Sequence, residues 1–417
     1  MATVPFRIND FDHHYYEPDD CCTRHLEARY RDRSIHIAEY EGQRAWHFGE
    51  RPLNFDRRPL DWVLEPGDLR RKLAEGDSGI EGDVNVMASD ADPAFRCRDA
   101  RLEKLDAFGV ESAVMFSSFF FENEMTHDIE AGCANLRAYN RWVEEDWGFA
   151  FQERLFAPAT LSLIDLDFAI EELERVLRCG ARLVVLRSGP VAGRSPADPY
   201  FDPFWARVEE AGVPVILHVS LSTYEDQFSR FWGERTDSTM DEFSAFQWYS
   251  CFMHRPIIDT MASLVFNNLF GRFPGLRVVS VENGSAWVKP LLSDMDHILH
   301  YTQPTTRWPG GRLPDRPSAI FREHVYVSPF FEPYYEAPLT ELIDTLGLER
   351  IVFGSDWPHG EGKPKPKDYL ADTSDLDAAQ LERFMRTNAA DLLGVRPPQD
   401  RPQVNESGGR ETTTPIE

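Results

Sequence analysis

The most informative stretch of the chain is Ile351-Val352-Phe353-Gly354-Ser355-Asp356-Trp357-Pro358-His359. An apolar run that begins with two β-branched residues ends in an aspartate, and a histidine follows three positions later. Such a run is typical of a buried parallel strand, and the aspartate would lie at its C-terminal end. The pattern therefore predicts a strand that delivers reactive side chains to one edge of a sheet.

Three other strand-like runs end in the same manner. The run Phe6–Asp12 leads into His14, the run Val213–His218 ends in a histidine, and the run Leu276–Glu282 ends in a glutamate. Strand ends that are far apart in sequence but carry such groups converge in space in the (β/α)8 barrel, whose sites lie at the C-terminal face. We therefore predict an α/β fold of the TIM-barrel type.

Alternation of strand-like and helix-like segments along the chain agrees with this prediction. The predicted strands are Phe6–Asp12, Ser112–Phe116, Leu155–Leu161, Leu183–Leu186, Val213–His218, Leu276–Glu282, Val325–Val327 and Ile351–Ser355. The predicted helices are Arg98–Phe108, Ile129–Phe149, Leu166–Arg178, Pro203–Glu210, Ile257–Phe273, Trp287–Leu299, Ala337–Leu346 and Leu376–Leu393.

Two segments interrupt the alternation. Residues of about 19–96 follow the first strand and are predicted to form an inserted cap or lid, since long loops over a barrel mouth usually carry function. Residues of about 220–255 follow the fifth strand and form a second insertion, which contributes either an apolar substrate channel or a packed helical hairpin. The domain prediction is one barrel over residues 1–395 and a disordered tail over residues 396–417.

Composition excludes several classes of function. The formal charge of −26 argues against nucleic-acid binding and against docking on anionic membranes. No apolar run approaches the roughly 20 residues that a membrane span requires. The six cysteines form no CxxC pair and no secretory leader is visible, so the sequence predicts a cytoplasmic protein with reduced thiols.

The strand ends provide ligands that suit a metal ion. Asp12 and His14 are two apart on a strand, so their side chains point to the same face. His218, Glu282 and Asp356 end other strands. Glu17 and His359 lie in the loops just beyond. A single strand-end aspartate often caps a helix, but four such ends together favour a metal site. Imidazole with carboxylate suits Zn, Fe or Mn, and carboxylates can bridge two ions.

Two further residues are weaker candidates. His127 follows the second strand and could reach the mouth, although the start of the next helix also explains it. Arg187 ends the fourth strand, where it could bind a substrate carboxylate or phosphate, or pair with a carboxylate of the wall.

These motifs resemble the amidohydrolase-related (amidohydrolase-2) TIM-barrel proteins over about residues 6–394. The matching segments are Asp12–Pro18, Val215–His218, Phe273–Val278, Glu282–Val288 and Phe353–Gly362. The chain departs from the usual pattern at three strand ends. Asp12 replaces the first histidine of His-x-His, Arg187 replaces the bridging lysine, and Glu282 replaces a histidine.

A carboxylate-rich site of this kind is similar to a subgroup of the family, the nonheme diiron monooxygenases. The resemblance implies that two iron ions activate O2 to hydroxylate a lipophilic substrate. That substrate is expected to be an acyl group linked to coenzyme A, and terpenoid acyl groups of antibiotic biosynthesis are included. An external electron donor would be required, and relatives are commonly homodimers. Asp12, His14, His218 and Asp356 would hold the first ion. Glu17, Glu282 and His359, with His127, would complete the second.

The alternative hypothesis is a redox-inert enzyme of the same family. A Zn- or Mn-dependent hydrolase or nonoxidative decarboxylase would use the metal to polarise the substrate or a bound water. Glu282 or His359 would then be the general base or acid.

Overall fold

The structure is a computed structural model that describes residues 4–53, 60–75, 85–119, 121–122, 124–222, 224–236, 238, 240–252, 254–330 and 336–395. The predicted disordered tail, residues 396–417, lies outside the described residues. Parts of the two predicted insertions also lie outside them.

The strands form two parallel sheets and two small antiparallel ones. They are β1 (Ile8–Tyr15), β2 (Ile35–Tyr40), β3 (Gln43–Phe48), β4 (Arg51–Pro52), β5 (Trp62–Leu64), β6 (Val86–Ala88), β7 (Val110–Ser117), β8 (Leu155–Phe156), β9 (Ala159–Thr160), β10 (Val184–Arg187), β11 (Val215–His218), β12 (Val278–Val281) and β13 (Val325–Val327). The first parallel sheet has the order β1-β7-β8, and the second has the order β13-β12-β11-β10-β9.

Two segments join the parallel sheets to each other. Residues 155–160 pair with β7 through β8 and with β10 through β9. On the other side, Ile351 bridges to Val327 of β13, and Trp357 bridges to His13 of β1. The predicted third strand is thus two short strands, and the predicted eighth strand is a pair of bridges. Asp356 has a left-handed backbone (φ 59°), which interrupts a regular ladder there.

Helices connect the parallel strands. They are α1 (Asp68–Ala74), α2 (Arg98–Phe108), α3 (Ile129–Asp146), α4 (Leu166–Arg178), α5 (Asp202–Ala211), α6 (Tyr224–Trp232), α7 (Ala245–Gln247), α8 (His254–Phe266), α9 (Leu269–Arg272), α10 (Val288–Leu299), α11 (Pro317–His324), α12 (Leu339–Leu346), α13 (Ala378–Glu382) and α14 (Asn388–Leu393). Short π-helical segments lie at Trp248–Phe252 and Arg383–Thr387.

The local sequence explains where a typical helix begins and which face it buries. Asp165 precedes α4, and its carboxylate accepts a hydrogen bond from the Phe168 N–H, which caps the helix N-terminus. Leu173 and Val176 lie three apart on the buried face of the helix.

Side chains that alternate along the parallel strands fill two separate cores. On β11, Ile216 packs with Phe11, Val114 and Val279 in one cluster. Its neighbour Val215 joins the larger cluster that the helices cover. This alternation is what a parallel strand buried on both faces requires.

The segment between β1 and α2 contains α1, the antiparallel sheet β2-β3-β4 and the pair β5-β6. The segment after β11 contains α6, α7 and the first π-helical segment. In the part of the chain that the structure describes, no helix combines the length and apolarity needed to cross a membrane.

Candidate metal centre and its relatives

The strand ends that carry Asp12, His14 and Asp356 are joined by backbone hydrogen bonds. The Asp356 N–H donates to the Asp12 carbonyl at 2.8 Å, and the His14 N–H donates to the Trp357 carbonyl at 2.8 Å. Asp12 and His14 both lie on β1, as their spacing predicted. His218 is the last residue of β11, and Glu282 directly follows β12.

The side chains from these ends form one buried cluster around His14. Its Nε2 atom lies 3.4 Å from an Asp12 oxygen, 3.3 Å from a Glu282 oxygen and 3.4 Å from an Asp356 oxygen. The His218 Nε2 atom lies 3.5 Å from the same Asp12 oxygen and 3.1 Å from Glu282. Each of these side chains is at most 5 % exposed. The predicted convergence of strand ends is therefore present.

Backbone carbonyls fix the orientation of both imidazoles. The His14 Nδ1 atom lies 2.9 Å from the Ser117 carbonyl oxygen, and the His218 Nδ1 atom lies 2.9 Å from that of Val219. Because a carbonyl only accepts, each Nδ1 carries the hydrogen and donates it. The Nε2 atoms then face the carboxylates, and a histidine whose Nδ1–H is bonded to a carbonyl can bind a metal ion through Nε2.

Two overlapping groups of side chains could hold an ion, with ligand atoms that all lie within 4.8 Å of one another. One group is Asp12, His14, His218 and Glu282, and the other is His14, Glu282, Asp356 and His359. Within the described residues, the Asp12 Oδ1, Glu282 Oε2 and both Asp356 carboxylate oxygens are buried without a hydrogen bond. Buried anionic oxygens of this kind are costly without a cation, so the donor set fits a divalent metal ion.

Electrostatic interactions within the cluster shift the pKa values of its carboxyl and imidazole groups. Burial alone would raise the pKa of Asp12 and of Glu282, but contacts with His14 and His218 outweigh burial and lower both. Burial would likewise lower the pKa of His218, but Glu282 and Asp12 raise it well above its usual value. Burial, together with the charge of Glu282, raises the pKa of Asp356 well above that of an ordinary carboxyl.

The backbone is strained at two of these positions. Glu282 has φ 57° and Asp356 has φ 59°, a left-handed conformation that residues other than glycine rarely adopt. Strain of this kind persists where the surrounding structure imposes it and is concentrated at functional sites.

His359 lies at the edge of the cluster. Its Nδ1 atom is 2.8 Å from an Asp356 oxygen, and its Nε2 atom is 2.8 Å from the Ser118 hydroxyl. The ring centroid is 3.9 Å from that of His14, and the side chain is 17 % exposed. His359 is thus hydrogen-bonded to Ser118 through Nε2, lies close to Asp356 through Nδ1, and is more accessible than the other cluster members.

Glu17, one of the predicted metal ligands, is not part of either group. Its carboxylate accepts hydrogen bonds from the Ser117 hydroxyl (2.6 Å) and the Tyr139 hydroxyl (3.0 Å). Burial raises its pKa to about 7, although these hydrogen bonds oppose the shift. Ser117 therefore contacts Glu17 through its hydroxyl and His14 through its carbonyl.

The two weaker candidates also lie outside both groups. His127 is exposed at the end of a 3-10 helix, Glu124–His127. Arg187 is half-buried at the end of β10, where it is the ladder partner of His218. A narrow cavity beside His218 is lined by aromatic side chains that include Phe116, Phe119 and Phe121.

Sequence reasoning missed the residues that support the cluster. Arg101 of α2 is fully buried and donates from Nε to the Ala94 carbonyl and from Nη2 to the His14 carbonyl, both at 2.7 Å. The available sequence signal for Arg101 was its charge at a position on the buried face of a predicted helix. Ser117 ends β7 beside β1, so its position at a strand end was the available signal.

Comparison with known proteins identifies the family. The family model described as amidohydrolase matches residues 120–395, well over half of the chain. The chain belongs to the amidohydrolase family. A solved amidohydrolase from Mycobacterium avium subsp. paratuberculosis K-10 is 35 % identical, has a TM-score of 0.83, and the match covers 94 % of this chain and all of that one. The predicted family is thereby confirmed, and the fold is an α/β fold that matches amidohydrolase structures.

Two further relatives of this amidohydrolase are decarboxylases. Gamma-resorcylate decarboxylase from Rhizobium sp. (strain MTP-10005) is 25 % identical over 302 residues, which are 71 % of this chain and 86 % of the relative. A dihydroxybenzoic acid decarboxylase from Polaromonas sp. JS666, solved with bound manganese and the inhibitor 2-nitroresorcinol, is 16 % identical. Its TM-score is 0.60, and the match covers 93 % of this chain and 97 % of that one.

These relatives overturn the predicted reaction. The prediction of an oxidoreductase, a diiron monooxygenase that hydroxylates a coenzyme A-linked substrate in antibiotic biosynthesis, is wrong, because the curated relatives that the chain matches are decarboxylases and not oxidoreductases. The electron donor belonged to that interpretation, and two iron ions have no support. The physical reason is that carboxylates and imidazoles also suit redox-inert divalent ions, so the donor set does not determine the reaction. The homodimer and the cytoplasmic location stay predictions.

Proposed function

We propose that this amidohydrolase is a metal-dependent nonoxidative decarboxylase of an aromatic carboxylic acid. The single observation that carries the proposal is the buried cluster of Asp12, His14, His218 and Glu282, whose ligand atoms lie within 4.8 Å of one another. The decarboxylase relatives supply the reaction class, and the manganese in one of them supplies the expected type of ion.

The site would lie at the mouth of one closed barrel. We infer that residues 155–160 and 351–357 join the two parallel sheets into eight strand segments around a common axis, since each segment contacts both sheets. The described parts of segments 19–96 and 220–255 would be insertions into this domain, which we infer to span residues 1–395. Sites of such barrels form at the C-terminal strand ends, which is where the cluster lies.

Asp12, His14, His218 and Glu282 would hold one divalent ion, with manganese the expected metal. The bound ion would polarise a carboxylate or phenolate oxygen of the substrate. The Ser117 and Val219 carbonyls keep both imidazoles oriented for binding. The aromatic side chains that line the narrow cavity beside His218 would help to exclude water from the site.

Asp356 and His359 would together supply the proton that the ring carbon takes up. Nonoxidative decarboxylation breaks the bond between the ring carbon and the carboxyl carbon, CO2 leaves, and the electron pair on the ring carbon takes up a proton. His359 lies 2.8 Å from Asp356, which orients its ring, and it is the most exposed member of the two groups. It can therefore deliver a proton and recover one from solvent.

The proposal is tested with manganese-loaded protein in D2O without oxygen. We expect CO2 release from hydroxybenzoates such as 2,6-dihydroxybenzoate, with one deuterium at the position of the lost carboxyl group. His359→Gln should slow this release while metal binding is retained. Absence of CO2 from every aromatic acid tried, in protein that has bound manganese, would refute the proposed reaction.

A further inference from the structure

The first turn of α1 is bonded directly to the loop that carries His359. The Gly67 N–H donates to the His359 carbonyl at 3.2 Å, and the Arg70 N–H donates to the Gly360 carbonyl at 2.9 Å. These amides belong to the beginning of the helix, where N–H groups have no partner within the helix. The loop therefore satisfies α1, and α1 in turn fixes the backbone on which His359 is mounted.

The first turn of α1 and the His359 loop lie so close together that side chains would not fit at Gly67 or Gly360. A Cβ atom on Gly360 would lie 2.8 Å from the Leu64 Cβ, and one on Gly67 would lie 2.7 Å from the Pro364 backbone nitrogen. Gly67 also has φ +83°, which glycine adopts without strain. The segment Leu64–Arg70 and the loop after Asp356 thus pack as one unit.

The Arg70 side chain adds a second connection between them. Its guanidinium donates to both carboxylate oxygens of Glu336, at 2.9 and 3.2 Å, and lies 5.2 Å from the ring centre of Tyr369. The Tyr369 hydroxyl donates to the Ser355 carbonyl at 3.3 Å. Arg70 is 9 % exposed and Tyr369 is fully buried, so these contacts are shielded from solvent. Arg70 therefore connects to the His359 loop in two ways, through its backbone N–H at Gly360 and through its side chain by way of Tyr369, whose hydroxyl bonds to Ser355.

We propose that Arg70 is a positioning residue, which acts through α1 and Tyr369 to hold His359 against Asp356. The inference rests on the proposed function, in which His359 delivers the proton. An imidazole displaced by about 1 Å loses much of its rate as a proton donor, on the order of 100-fold. Asp12, His14 and His218 lie on β1 and β11 and not on the His359 loop, so we expect loss of Arg70 to lower kcat more than it changes KM or bound metal.

The experiment compares Arg70→Met and Arg70→Lys with Arg71→Met in the full-length protein. Arg71 lies on the same helix but is half-exposed and pairs with Asp68 and Glu75, so its variant controls for damage to α1. The primary measurement is the rate at which diethyl pyrocarbonate modifies His359, read by mass spectrometry of the peptide, with His218 as the buried internal reference. Manganese content and kcat are measured on the same samples.

We expect Arg70→Met to raise the modification rate of His359 by about 10-fold or more and to lower kcat by about 10- to 100-fold. Arg70→Lys should show smaller changes in both the modification rate and kcat, and Arg71→Met should resemble the wild type. An unchanged modification rate in Arg70→Met or, if that variant does not fold, in Arg70→Lys would overturn the proposal, as would an equal increase in Arg71→Met. The modification rate needs no turnover, so a wild-type protein that decarboxylates nothing would refute the proposed function and leave this test intact.

Discussion

Gly354 lies so close to Asp12 that a Cβ atom on Gly354 would fall 2.6 Å from the Asp12 Cβ and 2.6 Å from the Ser328 hydroxyl oxygen. Only glycine allows the segment that carries Asp356 to approach the strand that carries Asp12. Gly354→Ala should therefore destabilise the fold by about 2 kcal/mol, as overpacked interiors do, and should weaken manganese binding. Urea unfolding and calorimetric titration of the metal measure the two effects.

Gly212→Ala is the control for this substitution. Gly212 has φ +63° with no atom near its missing Cβ, so the variant should lose about 1 kcal/mol from backbone strain alone and keep full metal affinity. Equal metal affinity in Gly354→Ala and the wild type would show that the Asp12–Gly354 contact does not shape the site.

Removal of a ligand should abolish tight metal binding. Asp12→Asn replaces an anionic oxygen ligand with a neutral one. His218→Ala removes an imidazole that is oriented by the hydrogen bond from its Nδ1–H to the Val219 carbonyl. We expect each variant to bind manganese about 100-fold more weakly or worse, since even loss of the groups that orient ligands costs 10- to 100-fold. His300→Ala, which alters an exposed histidine, should bind as the wild type does. Undiminished binding by either ligand variant would contradict the assignment.

Glu17 should make the metal-free protein less stable as the pH rises. Its pKa of about 7 in the folded state exceeds the ordinary 4.5, so between these values the folded state holds a proton that the unfolded state releases. Stability is therefore lost across this window, by on the order of 3 kcal/mol. Glu17→Gln should lack the loss, and its advantage in free energy of unfolding should grow from about pH 5 to about pH 8. Parallel pH profiles for the two proteins would be inconsistent with the burial of Glu17.

Arg101 should be more important for stability than for contact with substrate. Arg101→Met would leave the buried carbonyls of Ala94 and His14 without their donor, at a cost of about 3 kcal/mol or more. Arg101→Lys keeps the charge but cannot donate to both carbonyls in the same geometry, so it should be intermediate. Thermal unfolding of both variants measures this order, and wild-type stability in Arg101→Met would show that these hydrogen bonds contribute little.

The sequence was most informative where periodicity and strand ends carry the signal. Helices α2 and α4 have the predicted limits, Arg98–Phe108 and Leu166–Arg178, because apolar spacing and caps are local properties. The convergence of Asp12, His218 and Asp356 followed from parallel strands, whose C-terminal ends share one edge.

Other features depend on contacts that no local pattern records. The sequence places Glu17 just beyond His14 and so predicts a ligand, whereas its carboxylate accepts hydrogen bonds from Ser117 and from Tyr139, which is distant in the chain. The support of His359 by Ser118 and α1 joins residues that are far apart in the chain. The reaction could not be read from the donor types either, because carboxylates and imidazoles serve several metals.

Metal-dependent decarboxylation is tested by titrating metal-free protein with manganese in the absence of oxygen, with CO2 release from 2,6-dihydroxybenzoate or another aromatic acid as the signal. We expect the rate to rise with added metal and to level off at about one ion per chain, with no need for a reductant. A rate that requires oxygen and an electron donor, or that levels off only at two ions per chain, would contradict this expectation.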